Sequence, residues 1–302
     1  MKNYDFVANL KKALIVSGAI MLVGVICLCI FGVKMDISFK GGTRVQYSYT
    51  EAPDMDKVED VLKGVLGKKV EIVDDKGLIT ATTTKHVEPD DLPALHERLE
   101  KDFSMKKVNA NTLSASMGYK FLLRCGLALG LAALLLIVYV GFRFRKIGGV
   151  TAGISALIAL VHDLLIVFFT FVVFGIELDN NFVAVMLTIL GYSLNDTIVI
   201  FDRVRTMRRR SNGSLAEVVN GSLHHVLRRT IVTTLTTCVA ILAVLVVALV
   251  MNVDSIISFA LPMLLGAISG SYSSLFLSGP IWVKWMEHRE KKALKGQRQP
   301  KH

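Results

Sequence analysis

The sequence predicts a polytopic α-helical membrane protein that carries one small α+β domain outside the membrane. Three observations carry this. Of the 302 residues, 52% are apolar, and the mean hydropathy of +0.51 exceeds what a soluble domain tolerates. Six apolar runs are long enough to cross a bilayer, which takes about 20 helical residues. One long segment, between the first and second runs, alternates and turns as a folded domain does. These features exclude a soluble enzyme, a secreted disulfide scaffold and a disordered chain.

The spans are read at residues 13–33, 121–141, 150–174, 181–201, 231–251 and 256–283. Their orientation follows from the charges between them. Lys2, Lys11 and Lys12 precede the first span, and Arg143, Arg145 and Lys146 follow the second. Arg203, Arg205 and Arg208 to Arg210 follow the fourth; Lys284, Arg289, Lys291, Lys292, Lys295, Arg298 and Lys301 follow the sixth. The alternate loops hold Glu177, Asp179 and Asp254. Lysine and arginine favour the cytoplasmic side, so both termini are expected there. The net charge of +10 is this bias; anionic lipid is an expected neighbour and nucleic acid is not. The first apolar run is too long for a typical cleaved signal and reads as an anchor. Cys27, Cys29, Cys125 and Cys238 all lie in spans and read as small packing residues, neither disulfide-bonded nor metal-binding.

The organisation expected is a first part, 1–33, with the N-terminus and first span. An extracytoplasmic domain follows at 34–118, then the remaining five spans at 119–285 and a basic tail at 286–302. Within the external segment, Ile37, Phe39, Val45, Tyr47 and Tyr49 alternate as a half-buried strand, broken by Gly41-Gly42. Residues 54–66 have helical spacing with Asp54 as N-cap. Strands at 69–73 and 78–84 flank a turn at Asp74-Asp75-Lys76-Gly77. A helix is expected at 88–103, with Pro89 in its first turn, and a last strand within 104–116. The order is β-α-β-β-α-β, a ferredoxin-like arrangement. It contains no nucleophile–base pair or phosphate loop; His86 and His96 read as isolated surface residues. No enzymatic activity and no cofactor are expected.

Ionisable residues inside the spans are the informative ones, because a charge at the bilayer centre costs at least about 2.5–3.5 kcal/mol. Asp196 sits in Gly191-Tyr192-Ser193-Leu194-Asn195-Asp196-Thr197, roughly 7–8 Å from the span midpoint by helix rise. Its small and hydrogen-bonding neighbours suit a hydrated crevice, and a buried carboxyl there can load and release a proton. His162-Asp163 lies near the middle of the third span. Asp163 reads either as a member of an ion relay or as a structural partner, and His162 as a hydrogen-bonded packing residue. Arg229, Thr233 and Thr237 are spaced by four and form one polar stripe, so Arg229 is a candidate to face a carboxylate on another helix. Arg228 reads as an interfacial anchor. One charge moved through about 100 mV supplies roughly 2.3 kcal/mol, so a few ions suffice for a domain movement.

At these residues the chain resembles a known family. Residues 191–199 with Phe201-Asp202-Arg203-Val204-Arg205, His162-Asp163, Arg229-Thr230 with the threonines after it, and Phe39-Lys40-Gly41-Gly42-Thr43 are similar to motifs of the SecF family. These are the smaller subunits of the SecD–SecF protein-export complex. The resemblance runs over nearly the whole chain. It departs at Asp36-Ile37-Ser38-Phe39, where the family reads Gly-Ile-Asp-Phe, and Asp36 receives no role from it.

The resemblance implies a fold of the resistance–nodulation–division type and a SecD partner related by a pseudo-twofold axis. It implies the bacterial plasma membrane, association with SecYEG, YajC and YidC as further partners, and preprotein as substrate. Asp196, Arg229, Asp163, Asn195 and Thr233 would lie on the ion path. The function expected is coupling of an ion gradient, of protons or sodium, to late-stage preprotein translocation. Two alternatives stand beside it: a small-molecule exporter of the same superfamily, and a passive translocon assembly subunit. No internal repeat and no nucleotide-binding loop is found.

Overall fold

The computed structural model describes residues 4–51, 53–67, 69–75 and 77–297; Lys2, Lys76, Arg298 and Lys301, named above, lie outside them. The chain divides into two compact units. One holds Ala128–Ile176 with the residues up to Val33 and from Asn181 onward; the other holds Lys34–Leu127 with Glu177–Asn180.

In the second unit, β1 (Gly42–Ser48), β2 (Val70–Asp75), β3 (Leu78–Thr83) and β4 (Lys106–Leu113) form one antiparallel sheet in the order β2-β3-β1-β4. Helices α3 (Met55–Leu66) and α4 (Leu92–Phe103) supply Val58, Leu62, Leu66, Leu92, Leu95 and Leu99 to its core. They meet the inward residues Val45, Tyr47, Ile79 and Ala81. The order β-α-β-β-α-β therefore holds, with β3 inserted between β1 and β2.

The first strand differs from expectation. Ile37 and Phe39 belong to a single helical turn, α2 (Ile37–Lys40), and β1 starts at Gly42. Asp36 explains the turn: its carboxylate accepts from Ser38 N at 2.8 Å and Ser38 Oγ at 2.7 Å. Gly41 (φ 76°) and Gly42 (φ 135°) then turn the chain into β1, and a Cβ on Gly42 would lie 2.2 Å from the Thr83 carbonyl oxygen. Thr43 completes the motif from inside, donating to Lys85 O and accepting from Val87 N, both at 3.1 Å. The Gly-Gly-Thr sequence is thus a folding element of this unit.

Glu177–Asn180 is tied to the same unit. Met35 and Leu178 form a parallel bridge, and Arg44 reaches both Asp36 at 2.5 Å and Glu177 at 2.6 Å. Burial works against the Arg44 charge, but the pull of Asp36 and Glu177 outweighs it and raises the guanidinium pKa. His96 is not isolated: Tyr47 Oη lies 2.5 Å from its Nδ1.

The first unit is helical. Its elements are α1 (Leu10–Phe31), most of α5 (Ala115–Arg143), α6 (Gly149–Val173), α7 (Asn180–Arg208), α8 (Leu215–Met251), α9 (Asp254–Ser273) and α10 (Gly279–Gln297). A π-turn at Ser274–Ser278 joins the last two into one continuous rod. Among the described residues six helices are long and apolar enough to span a membrane, with α9 and α10 counted as one. The protein is therefore a multi-pass membrane protein.

Two helices run beyond their apolar segments. A capping box, Ser214 Oγ with Glu217 N and Glu217 Oε2 with Ser214 N, starts α8 at Leu215. His224 and His225, expected in a loop before the fifth span, therefore lie on helix, as do Arg228 and Arg229. Likewise α7 continues to Arg208. The residues before α1 pack on the start of α8: Asn220 accepts from Phe6 N and Val7 N, at 2.9 and 3.2 Å.

Candidate ion site

Helices α6 and α7 are the most buried of the set, at 56% and 50% of their apolar windows, whereas α5 buries none of its own. The buried pair brings Asp163 and Asp196 into the interior, beside α9. Close approach of α9 to its neighbours depends on glycine. A Cβ on Gly266 would lie 2.8 Å from Ile189 and Val167, and one on Gly270 would lie 3.0 Å from Ser193 Cβ.

Asp163 is wholly buried. Its carboxylate accepts four hydrogen bonds from three helices. Ser269 Oγ (2.6 Å) and His162 Nδ1 (3.1 Å) donate to Oδ1; Ser193 Oγ and Ser273 Oγ, both at 2.6 Å, donate to Oδ2. Four donors fill the lone pairs of a carboxylate, and a proton placed on Asp163 would have to displace one of them.

Asp196 is also buried, at 7% exposure. Among the described residues it accepts from Ser271 Oγ at 3.3 Å alone. Ser271 in turn is 2.5 Å from Thr234 Oγ1, which donates to Thr230 O at 2.7 Å. Beside Asp196, Thr197 Oγ1 lies 2.9 Å from Ser274 Oγ. By helix rise Asp196 is about 24 Å from the start of α7, roughly 6 Å short of the far edge of a core of about 30 Å.

Arg229 is close enough to attract the Asp196 carboxylate electrostatically, but among the described residues no ion pair within 4 Å joins it to an acid. Arg229 and Thr233 lie on the exposed side of α8, and Thr233 donates back to Arg229 O at 3.0 Å. The residues that α8 turns inward are Thr230 and Thr234. Asn195 and Gly191 are exposed, and Tyr192 Oη is buried without a partner among the described residues. Asp202 pairs with Arg143 (3.0 Å) and Arg205 (2.8 Å) at the basic end of the helices, while Arg203 Nε has no partner among the described residues. Gly41, Gly42 and Thr43 belong to the other unit. So the structure joins Asp163 with His162, sets Asp196 apart from them, and leaves Arg229, Thr233 and Asn195 on a surface.

Sequence reasoning missed the serines of α9 and the start of the π-turn. Ser269, Ser271 and Ser273 on α9 and Ser274 in the turn supply donors to both carboxylates or to their neighbours. Their signal was the run Ser269-Gly270-Ser271-Tyr272-Ser273-Ser274 in an otherwise apolar span.

Residues 94–288 match the family of the protein export membrane protein SecD/SecF, C-terminal. The chain belongs to the SecF family. It is 31% identical to the protein translocase subunit SecF of Alicyclobacillus acidocaldarius, over 97% of this chain and 96% of that one. The SecF of Synechocystis is 34% identical, over 93% and 94%. The SecDF of Bacillus subtilis is 30% identical over 96% of this chain, which matches 39% of that longer protein. Among solved structures, SecDF of Thermus thermophilus, described as a translocon-associated membrane protein, superposes with a TM-score of 0.80. The sequence identity there is 25%, over 94% of this chain and 39% of that one. This SecF-family chain is accordingly a protein-export membrane protein.

Proposed function

We propose that the chain couples an ion gradient to preprotein export, and that Asp196 is the group that takes up and releases the ion. The observation that carries this reading is the contrast between two buried acids. Asp163 is saturated by four donors, whereas Asp196 has one long hydrogen bond and a distant cation. A buried carboxyl so poorly compensated gains from neutralisation, by a proton or a bound cation. Arg229 would then lose its attraction and be free to turn away. Asp163 takes the structural one of its two readings, a fixed strut among α6, α7 and α9.

The exposed face of α8 supports a protein partner. By helix rise Arg229 lies about 33 Å from Met251, at the edge of the hydrocarbon, and the face beyond it carries Thr233 and Thr236. We infer that SecD covers this face and that of α5, since in SecDF proteins the matching stretch is part of a longer chain. SecYEG, with YajC and YidC, and the emerging preprotein complete the assembly in a bacterial plasma membrane. Both termini lie in the cytoplasm, on the side of the basic ends. No step in this scheme makes or breaks a covalent bond, so no enzymatic role is assigned.

The test is gradient-driven preprotein export in cells depleted of the native chain and supplied with Asp196→Asn. Asparagine keeps the size and hydrogen bonding without the charge. Stalled export with normal membrane levels supports the reading. Normal export returns Asp196 to a structural role.

A further inference from the structure

A cavity of about 510 Å³ lies among α1, α6 and α9, all in the membrane unit. Small-ligand sites run from about 300 to 1,000 Å³. Helix α1 contributes Val16, Ile20, Val23 and Gly24, which recur at helical spacing as one apolar stripe. Two contacts seat the stripe on its neighbours. At Gly24 an added Cβ would lie 2.3 Å from the Phe169 ring of α6. Three turns earlier, Ala13 O accepts from Tyr272 Oη of α9 at 2.8 Å. Val16 and Ile20 fall between these contacts and line the cavity instead of touching a core.

The α6 wall runs from His162 to Phe174, about 18 Å by helix rise. His162 is about 20 Å from the start of α6 at Gly149 and about 17 Å from its end at Val173. The inner end of the cavity is therefore near the membrane midplane. Among the described residues no Asp, Glu, Lys or Arg lines it. Three of its polar side chains are committed elsewhere: Thr170 donates to Ile166 O, Ser269 to Asp163 and Tyr272 to Ala13 O. His162 differs. Its side chain is 10% exposed and its Nδ1 donates to Asp163, but Nε2 is buried without a partner among the described residues.

We propose that this cavity binds an uncharged membrane lipid whose polar group is a hydroxyl, a long-chain or isoprenoid alcohol, with that hydroxyl on His162 Nε2. Three features select this class. A charged headgroup would find no countercharge at this depth, where charge is costly. With Nδ1–H given to Asp163, the neutral imidazole leaves Nε2 as an acceptor, so the ligand must bring a donor; a hydroxyl does, and a bare chain or an ester carbonyl does not. Beyond His162 the wall of Ile166, Phe169 and Val173 is apolar and suits a hydrocarbon body. At the rim Val16, Ile20, Val23, Val173, Phe174 and Ile268 are exposed, so the cavity is open to the lipid phase. The site stands apart from Asp196, whose partner Ser271 does not line it, and it does not depend on the ion-coupling reading.

The test uses the full chain in its native complex in lipid nanodiscs, with a hexadecanol that carries a photoreactive diazirine on its chain. The expected result is labelling of residues 16–24 and 166–174 that unlabelled hexadecanol competes away. His162→Phe keeps a ring of similar size and removes the nitrogens; competable labelling should fall about three- to tenfold, the worth of one buried hydrogen bond. Ile20→Trp fills the cavity from the rim, leaves His162 in place and should abolish the labelling. The matching diazirine hexadecane, without the hydroxyl, should label weakly and equally in wild type and His162→Phe. Equal competable labelling by hexadecane and hexadecanol in the wild type overturns the hydroxyl contact, and that comparison holds even if His162→Phe fails to assemble. Stronger labelling by the matching hexadecanoate overturns the choice of an uncharged head. No competable labelling of these residues in the complex means that a protein neighbour covers the face, and overturns the site. None of these outcomes moves the Asp196 reading, which export with Asp196→Asn decides separately.

Discussion

Asp163 and Asp196 are both acids inside the membrane unit, on neighbouring helices and beside the same serine-rich face of α9. Asp163 draws donors from α6, α7 and α9, and all four bonds are 3.1 Å or shorter. Asp196 draws one, at 3.3 Å, although Ser271 sits two residues from both Ser269 and Ser273. The difference is one of helix phase. Ser269 and Ser273 are spaced by four and face Asp163 as a pair; Ser271 points away from them, towards α8, and is shared with Thr234. A carboxylate can thus be made a fixed anchor or left responsive by the donors around it, at similar burial.

The largest expected effect tests the anchor. Asp163→Ala removes the acceptor shared by three serine hydroxyls, leaving Ser193 Oγ buried and unpaired and Ser273 Oγ with only Gly270 O at 3.2 Å, and should destabilise the membrane unit by about 3–5 kcal/mol. Asp163→Asn keeps one acceptor oxygen but turns an amide donor towards serine donors, and should cost about 2 kcal/mol. Thermal unfolding in detergent reads both. By contrast, Asp196→Asn should change stability by less than about 1 kcal/mol, because its one long bond survives. Equal losses at the two sites would erase the distinction on which the functional reading rests.

Arg44 gives an intermediate case in the other unit, where an acid is held by a cation. Asp36 is 7% exposed in its side chain and Glu177 is 41% exposed. Arg44→Ala should cost about 1–2 kcal/mol, most of it from leaving Asp36 unpaired, and Glu177→Gln no more than about 1 kcal/mol. Hydrogen exchange at residues 34–36 and 177–180 should quicken in the first and change little in the second. Smaller again is the donor test. Ser193→Ala removes one of four short bonds to Asp163 and should cost about 1–1.5 kcal/mol, and Ser271→Ala about 0.5 kcal/mol.

Much of this was legible in the sequence. Length and hydropathy place all six spans, and periodicity places every strand and helix of the external unit but the first. The miss at Ile37 and Phe39 is instructive: apolar alternation over three residues fits a helical turn as well as a strand, and the cap from Asp36 decides between them. The site was harder. Asp196 and Asp163 stand out by residue type, but which one is saturated depends on the phase of serines more than 70 residues later in the chain. The threonine stripe shows the same limit. Spacing puts Arg229, Thr233 and Thr237 on one face, yet it cannot say that α8 turns Thr230 and Thr234 inward instead.

The smallest prediction concerns a pH response that has to be separated from that of the membrane acids. His96 is partly buried against Tyr47 and faces the charge of Lys107, and both effects lower its pKa in the folded state, burial the more. Burial also raises the Tyr47 hydroxyl pKa, so Tyr47 keeps its proton and donates it to His96 Nδ1. A proton arriving at that nitrogen would reverse the bond, with the Tyr47 oxygen accepting, and would set a charge in a partly buried site facing Lys107. The sign follows: below the unfolded value of about 6.5 the unfolded chain binds a proton that the folded one resists, so stability falls as pH drops. Hydrogen exchange across β1 and α4 should therefore quicken between about pH 7 and 5.5 in the full chain. His96→Gln should flatten that change without altering gradient-driven export. If His96→Gln instead removes the pH dependence of export, the titrating group lies outside the membrane, and the contrast between Asp163 and Asp196 no longer explains how the chain responds to an ion.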